Sequence, residues 1–201
     1  MKIKKGYWWL FAFNLLYMIA FGIYYLTRMN YEFVWYFAVL VLIALIIVFT
    51  LDKSNLDYLA LWGLSIWGFL HMAGGGIRLV PGTTLYGTRL LEIVNRGGDF
   101  YILKMDQVIH FYGFAIAAIV IFQLIWPAFK KLKGKKMPIF IAWIGAMGLG
   151  ALNEVIEFLA LVTLSKTGVG DIYNTGLDLV FNMGGAFAGA VIAYYWMTRK
   201  K

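Results

Sequence analysis

The stretch FVWYFAVLVLIALIIVFTL, residues 33–51, contains no charged side chain. A helix rises about 1.5 Å per residue, so a helix over this stretch matches the hydrocarbon core of a bilayer, which is about 30 Å thick. An apolar run of this length is typical of a transmembrane helix. The sequence therefore predicts that residues 33–51 cross a membrane.

Five more apolar runs of similar length occur along the chain. The predicted spans are residues 7–27, 33–51, 58–80, 107–127, 138–164 and 177–197. Short connections join them, except for a mixed polar loop over residues 81–105. The predicted fold class is therefore all-α: a polytopic membrane helix bundle of about six transmembrane helices, forming a single transmembrane domain over residues 1–201.

The composition agrees with a lipid environment and excludes several functional classes. The chain is 62% hydrophobic and 14% charged, whereas a soluble domain is about one-half apolar and about one-quarter charged. The net charge of +8 is held in short clusters beside the apolar runs. We therefore predict membrane lipids as partners and no binding of nucleic acid, because no basic domain is present. The absence of cysteine excludes disulfides, thiolate metal ligands and thiol catalysis.

Lysine and arginine concentrate in three segments, residues 2–5, 130–136 and 199–201. If the chain crosses the membrane at each predicted span, all three segments lie on the same side. Segments rich in lysine and arginine stay on the cytoplasmic side of a membrane. The sequence therefore predicts a multi-pass protein of the bacterial or archaeal cytoplasmic (cell) membrane with both termini in the cytoplasm.

Ionisable side chains occur inside the predicted spans, where each unpaired charge costs about 3 kcal/mol or more. The polar side chains of the third to sixth spans are His71 and Arg78, Asp106 and His110, Glu154 and Glu157, and Asp178 and Asn182, with Asp171 just before the sixth span. Pairs spaced i,i+3 or i,i+4 share one face of a helix. Counting along each helix places most of these groups in the outer half of the membrane. The sequence therefore predicts one polar site that opens outward.

Histidine and carboxylate side chains together form a ligand set for a divalent metal. Imidazole and carboxylate groups suit Zn, Mn or Fe, and carboxylates alone can hold Mg through oxygen. The candidate metal ligands are His71, Asp106, His110, Glu157 and Asp178. A bound metal could activate water for hydrolysis, with Glu154 or Glu157 as the catalytic base.

Three further side chains are candidates for ligand binding. Arg78 is expected to contact an anionic headgroup, and Asn182 is expected to orient a ligand or water. Asp171 is included because it precedes the sixth span. The resulting hypothesis is a metal-dependent hydrolase, or another modifying protein, that acts on an envelope lipid or its headgroup.

Two other interpretations of the same residues stay open. The carboxylates outnumber Arg78, so either several are protonated or a cation is bound. A proton- or cation-coupled transporter would use them to carry its ion. In a non-catalytic accessory protein, the polar groups would pair with one another and hold the helices together.

Several spaced motifs resemble a known family. They are Leu70-His71-x-x-Gly74-Gly75, Asp106-x-x-x-His110-Phe111, Glu154-x-x-Glu157-Phe158 and Gly170-Asp171-x-Tyr173-Asn174-Thr175-x-x-Asp178-x-x-x-Asn182-x-x-Gly185-Ala186. Together they resemble the YjdF-type bacterial inner-membrane proteins and, more remotely, the VanZ-like proteins, over about residues 70–190. The VanZ-like proteins are linked to resistance against the glycopeptide teicoplanin. The resemblance therefore implies a role at the outer side of the cell envelope.

Overall fold

The computed structural model describes residues 6–54, 56–97, 100–130 and 136–199. Most of the lysines that carry the orientation argument lie outside the described residues: Lys2, Lys4, Lys5, Lys131, Lys133, Lys135, Lys200 and Lys201.

Six helices account for most of the described chain. They are α1 (Tyr7–Thr27), α2 (Tyr31–Ser54), α3 (Tyr58–Gly76), α4 (Met105–Phe129), α5 (Met137–Thr163) and α6 (Ile172–Arg199). All except α3 are long and apolar enough to cross a membrane. Helix α3 is the shortest of the six, with 19 residues, and it includes His71 and three consecutive glycines. The predicted class, an all-α membrane helix bundle, is confirmed.

The third helix ends earlier than the sequence predicts. The predicted span reaches residue 80, but α3 ends at Gly76 and Ile77 has an extended backbone, with φ −80° and ψ 135°. Residues Arg78–Val80 form strand β1. Glycine is a weak helix former, so the three glycines at the end of α3 favour termination although the following residues are apolar. The placement of Arg78 on a helix is therefore wrong.

The predicted polar loop is folded into two antiparallel hairpins. Strand β1 pairs with β2 (Thr83–Thr84), and β3 (Arg89–Asn95) pairs with β4 (Tyr101–Lys104). Tyr86 lies between the hairpins: its N–H donates to the Gly74 carbonyl at 3.0 Å, and its carbonyl accepts from the Asp106 N–H at 3.3 Å. These bonds fix the hairpin segment across the end of α3 and the start of α4.

Helices α4 and α6 are in backbone contact. A Cβ added at Gly185 would collide with the carbonyl of Phe111, and one added at Gly189 would collide with the carbonyl of Ala115. Glycine is needed at both positions because only a hydrogen atom fits there. The two helices therefore pack without side-chain volume between them at these points, as small-xxx-small patterns do in membranes.

The remaining helices pack around this pair in two groups. Small and aromatic side chains of α4, α5 and α6 form one buried core, which includes Phe114, Phe122 and Ala146. Aromatic side chains of α1 and α2 form a second core with Met72 of α3. The buried residues of α2 are Glu32, Phe33 and Tyr36, so this helix is buried only near its N-terminal end.

Candidate functional site

His110 is the centre of a buried polar cluster between α4, α5 and α6. It lies in the second turn of α4 and is 5% exposed. Its Nδ1 lies 3.0 Å from Asn182 Oδ1 and 3.6 Å from Glu154 Oε1, and its Nε2 lies 3.6 Å from Asp106 Oδ1. A carboxamide oxygen only accepts hydrogen bonds, so the Asn182 contact places a proton on Nδ1.

A second group of contacts joins α6 to the start of α4. Asn174 Nδ2 donates to Asp178 Oδ2 at 2.6 Å and lies 3.5 Å from Asp106 Oδ2. Asn174 Oδ1 accepts from the ammonium group of Lys104. Asn174 therefore links a buried cation to two carboxylates.

The two carboxylate oxygens of Asp178 differ in their hydrogen bonding. Its side chain is 0% exposed, and Oδ1 has no hydrogen-bond partner among the described residues. A buried acceptor without a partner costs about 1–3 kcal/mol, and more when it is charged. This oxygen is therefore available to a ligand that enters the cluster.

The cluster contains two sets of groups whose ligand atoms lie close enough to share one ion. Asp106, His110 and Asp178 form one set, and His110, Glu154 and Glu157 form the other, with the ligand atoms of each set within 4.8 Å of one another. Asn153 Nδ2 holds Glu157 by donating to its Oε1 at 2.9 Å. Facing helices in bundles build carboxylate and histidine metal sites in this way.

His71 belongs to a neighbouring set of contacts and to neither of those two groups. Its Nδ1 lies 2.6 Å from the hydroxyl of Tyr86, and its ring contacts Tyr36 and Trp67 at centroid distances of 5.7 and 6.2 Å. Burial, followed by the Asp106 carboxylate, raises the pKa of the Tyr86 phenol well above its usual value. The phenol is therefore protonated and donates to Nδ1.

Two of the three sequence-predicted ligand-binding residues lie outside the cluster. Arg78 is exposed on β1 and lines a different cavity. Asp171 caps α6, because its Oδ1 accepts from the N–H groups of Tyr173 and Asn174 at 2.9 and 3.0 Å. Among the described residues, Lys104 is the cation that contacts this cluster, through Asn174, and Arg78 has no described contact with its carboxylates.

Four residues of this region are missing from the sequence-based set. Asn174 precedes Asp178 by four residues, so the i,i+4 spacing could have indicated it. Glu32 is a 7% exposed carboxylate at the start of an apolar helix, and it accepts from the Gly168 N–H at 2.6 Å. Nothing in the spacing indicates Lys104 or Tyr86, since both depend on how the hairpins fold.

The fold and the cluster together define a polytopic α-helical membrane protein with a polar centre between its last three helices. The chain belongs to the family described as "Predicted membrane protein (DUF2238)", whose family model matches residues 7–199. No curated protein and no solved structure matches the chain. The match shows that the chain belongs to a family of membrane proteins, and the description of the family names no activity.

Proposed function

We propose that the His110 cluster binds one divalent metal ion inside the membrane and uses it for hydrolysis. The observation that carries this proposal is the buried Oδ1 of Asp178, which has no partner among the described residues and lies in a group of potential metal ligands. Buried carboxylates need a counter-charge in a medium of low dielectric. A metal ion would supply both the missing partner and the missing charge.

The charge balance supports a cation. Four carboxylates meet around His110: Asp106, Glu154, Glu157 and Asp178. The ammonium of Lys104 reaches them through Asn174 and contacts its amide oxygen, so it offsets part of this charge. One imidazole with several carboxylates suits Zn, Mn or Fe, and Mg through the oxygens. His71, bonded to Tyr86, is not included in the proposed ligand set.

A divalent metal held by Asp106, His110 and Asp178 would supply a water of lowered pKa, and a nearby carboxylate would accept the proton of that water. Glu157 is the proposed base, since Asn153 orients it beside His110. Hydrolysis would add water across an ester bond of a lipid or its headgroup, and the carboxylate base would return its proton to the leaving alcohol. Glu154 contacts Asn182 and lies on the Nδ1 side of His110, where it adds to the negative charge around the imidazole.

The substrate class follows from where the cluster lies. His110 and Asp178 are in the second turns of α4 and α6, and Glu157 is near the end of α5. The cluster is therefore about 10 Å from the ends of these helices, within reach of a lipid headgroup. With both termini in the cytoplasm this end faces outward, in keeping with the resemblance to YjdF-type and VanZ-like proteins.

The packing below the cluster disfavours the transport alternative. Toward the other end of α4, α5 and α6, the core contains tightly packed apolar side chains. Ala118, Phe122 and Ala146 are examples, and each is 0% exposed. An ion that crossed the membrane would need polar groups along its path. The polar centre therefore favours a reaction at one face of the membrane over transport of an ion from one face to the other.

Metal analysis of the protein purified in detergent tests the proposal. We expect a bound divalent metal in the wild type and its loss in Asp178→Asn. The matched control is Glu92→Gln, which removes an exposed carboxylate on β3 and should retain the metal. Equal metal content in the wild type and in Asp178→Asn would refute the metal site.

The catalytic step requires a separate measurement. Glu157→Gln should lower the hydrolysis of a short-chain fluorescent phospholipid by about 100-fold or more, the usual contribution of a general base. Metal content measured on the same sample separates loss of the base from loss of the ion. Unchanged hydrolysis in this variant would exclude Glu157 as the base.

A further inference from the structure

A cavity of about 370 Å³ lies where the end of α1 and the turn that follows it meet the end of α3 and strand β1. It is lined by Tyr24, Arg28, Asn30, Gly75 and Arg78. Its volume falls within the range of small-molecule sites, about 300–1,000 Å³. None of the proposed metal ligands lines it, so it is a separate site.

Two arginines, Arg28 and Arg78, line this cavity, and no described carboxylate forms an ion pair with either of them. Glu32 is the nearest acidic residue along the chain to Arg28, but its oxygens accept from the Gly168 N–H at 2.6 Å and from the Tyr36 hydroxyl at 3.3 Å. Arginine keeps its charge under all ordinary conditions. Two such charges lining one cavity favour an anion between them.

The local fold holds these polar groups in place. The Arg28 guanidinium lies over the Tyr24 ring, 5.6 Å from its centroid, and the Tyr24 hydroxyl donates to the Gly76 carbonyl at 3.0 Å. Met29 has a φ of 51°, and the resulting tight turn lets the Asn30 N–H donate to the Tyr25 carbonyl at 3.0 Å. This turn brings Asn30 back to the cavity beside Arg28.

The chemistry of arginine indicates which anion fits. A guanidinium is a planar fork of N–H donors that binds two phosphate oxygens at once. Arg28 directly follows α1, and Arg78 follows the end of α3. The ends of transmembrane helices lie at the level of the lipid phosphates. We propose that this cavity binds the phosphate group of an anionic lipid headgroup through Arg28 and Arg78.

Calorimetric titration of the detergent-purified full chain tests this proposal. One arm uses dihexanoyl-phosphatidylglycerol, and the other uses sodium phosphate. The test variant is Arg28→Gln/Arg78→Gln. The control, Arg89→Gln/Arg96→Gln, loses the same charge from the β3–β4 hairpin, where Arg96 lies over the Phe100 ring at 5.4 Å in the way that Arg28 lies over Tyr24.

We expect the test variant to bind the lipid at least about tenfold more weakly, since each charge-assisted hydrogen bond to phosphate contributes about a factor of ten. The control should match the wild type. Binding of both probes supports the phosphate site with the phosphate group alone as the ligand. Binding of the lipid alone supports a headgroup site that also contacts the glycerol part. Equal lipid affinity in all three proteins, or no binding of either probe, would overturn the proposal.

Two further measurements keep the result interpretable. Arg78→Lys keeps the positive charge but removes the guanidinium, which can bind two phosphate oxygens at once. This variant should bind the lipid more weakly without a lower melting temperature. The metal content of Arg28→Gln/Arg78→Gln should equal that of the wild type, because the two sites share no residue. A variant that loses lipid binding and keeps its metal therefore tests this cavity separately from the metal site.

Discussion

Replacing Asp178 by asparagine should have opposite effects on the metal-free and the metal-bound protein. The carboxylate is fully buried, and its Oδ2 accepts from Asn174 at 2.6 Å. Its Oδ1 has no partner within the described part of the chain. Asparagine has nearly the same shape, keeps an acceptor for Asn174, and places N–H donors where the unpaired oxygen was. Ligand atoms of Asp106 and Asp178 lie within 4.8 Å of each other, so a small side-chain movement would let Asp106 accept from these donors.

The structure sets the size of the effect. An unsatisfied buried acceptor costs about 1–3 kcal/mol, so the metal-free variant should have a free energy of unfolding higher by about that amount. Metal at about 1,000 times its Kd stabilises a protein that binds it by about 4.1 kcal/mol. The variant lacks one ligand and should lose this gain. Asp178→Asn should therefore be more stable than the wild type in chelator and less stable than the wild type in excess metal.

Thermal unfolding followed by tryptophan fluorescence in detergent measures both states, since the chain has 8 tryptophans. Samples in EDTA and in excess MnCl2 or ZnCl2 give the metal-free and metal-bound stabilities. Glu92→Gln is the control and should follow the wild type in both solutions. If Asp178→Asn is less stable than the wild type in EDTA and responds equally to metal, the carboxylate is neither an unpaired buried acceptor nor a metal ligand.

Three other features give testable outcomes. Gly185→Leu should prevent α4 and α6 from packing, so the variant should lose the monodisperse peak in size-exclusion chromatography. The control is Gly184→Ala, whose methyl group would lie 3.5 Å from the Phe111 ring. This control should elute as the wild type does. Lys104→Met should lower the melting temperature in EDTA and tighten divalent-metal binding in calorimetry, because a positive charge beside the carboxylates is removed; weaker metal binding would contradict this electrostatic role. The chain lacks cysteine, so a single introduced cysteine reports its own side of the membrane. Arg96→Cys should react with a membrane-impermeant maleimide on intact cells, and Lys136→Cys should react only after permeabilisation. The opposite pattern would show that the termini lie outside the cytoplasm.

The membrane class and most of the helices could be predicted from the sequence because both depend on local properties. Apolar length predicts a span wherever a helix faces lipid, as most of α2 does. The i,i+4 spacing of Asp106 and His110 also depends only on helix geometry, and the two side chains lie 3.6 Å apart. Features that depend on one helix alone are therefore accessible without coordinates.

The end of α3 and the hairpins show where this reasoning stops. Hydropathy continues through Ile77 and Leu79, so composition extends the span beyond Gly76. Three consecutive glycines favour the end of the helix at Gly76, and they are needed where aromatic rings pack against α3: a Cβ at Gly74 would collide with the ring of Tyr86. That ring comes from a segment whose pairing is set by tertiary contacts.

The same limit applies to the charges of the polar centre. Lys104 and Arg78 are both cations close to a helix end, and the sequence does not distinguish their directions. In the structure, Lys104 is 9% exposed and its ammonium bonds to Asn174, whereas Arg78 lines a separate cavity. The direction of each side chain follows from the hairpin register, which composition and helical spacing do not contain.

The glycine contacts between α4 and α6 have a consequence for the ion selectivity of the proposed metal site. His110 and Asp178 extend from two main chains that touch at Gly185 and Gly189, so the width of the coordination space is set by the backbone and little by rotamers. A methyl group at either glycine would lie 2.0 Å from a backbone carbonyl oxygen, so α4 and α6 would have to move apart by about 1 Å or more, and the space between the two side chains would widen. The preferred ionic radius of the centre would then be adjustable from a position that contacts no ion.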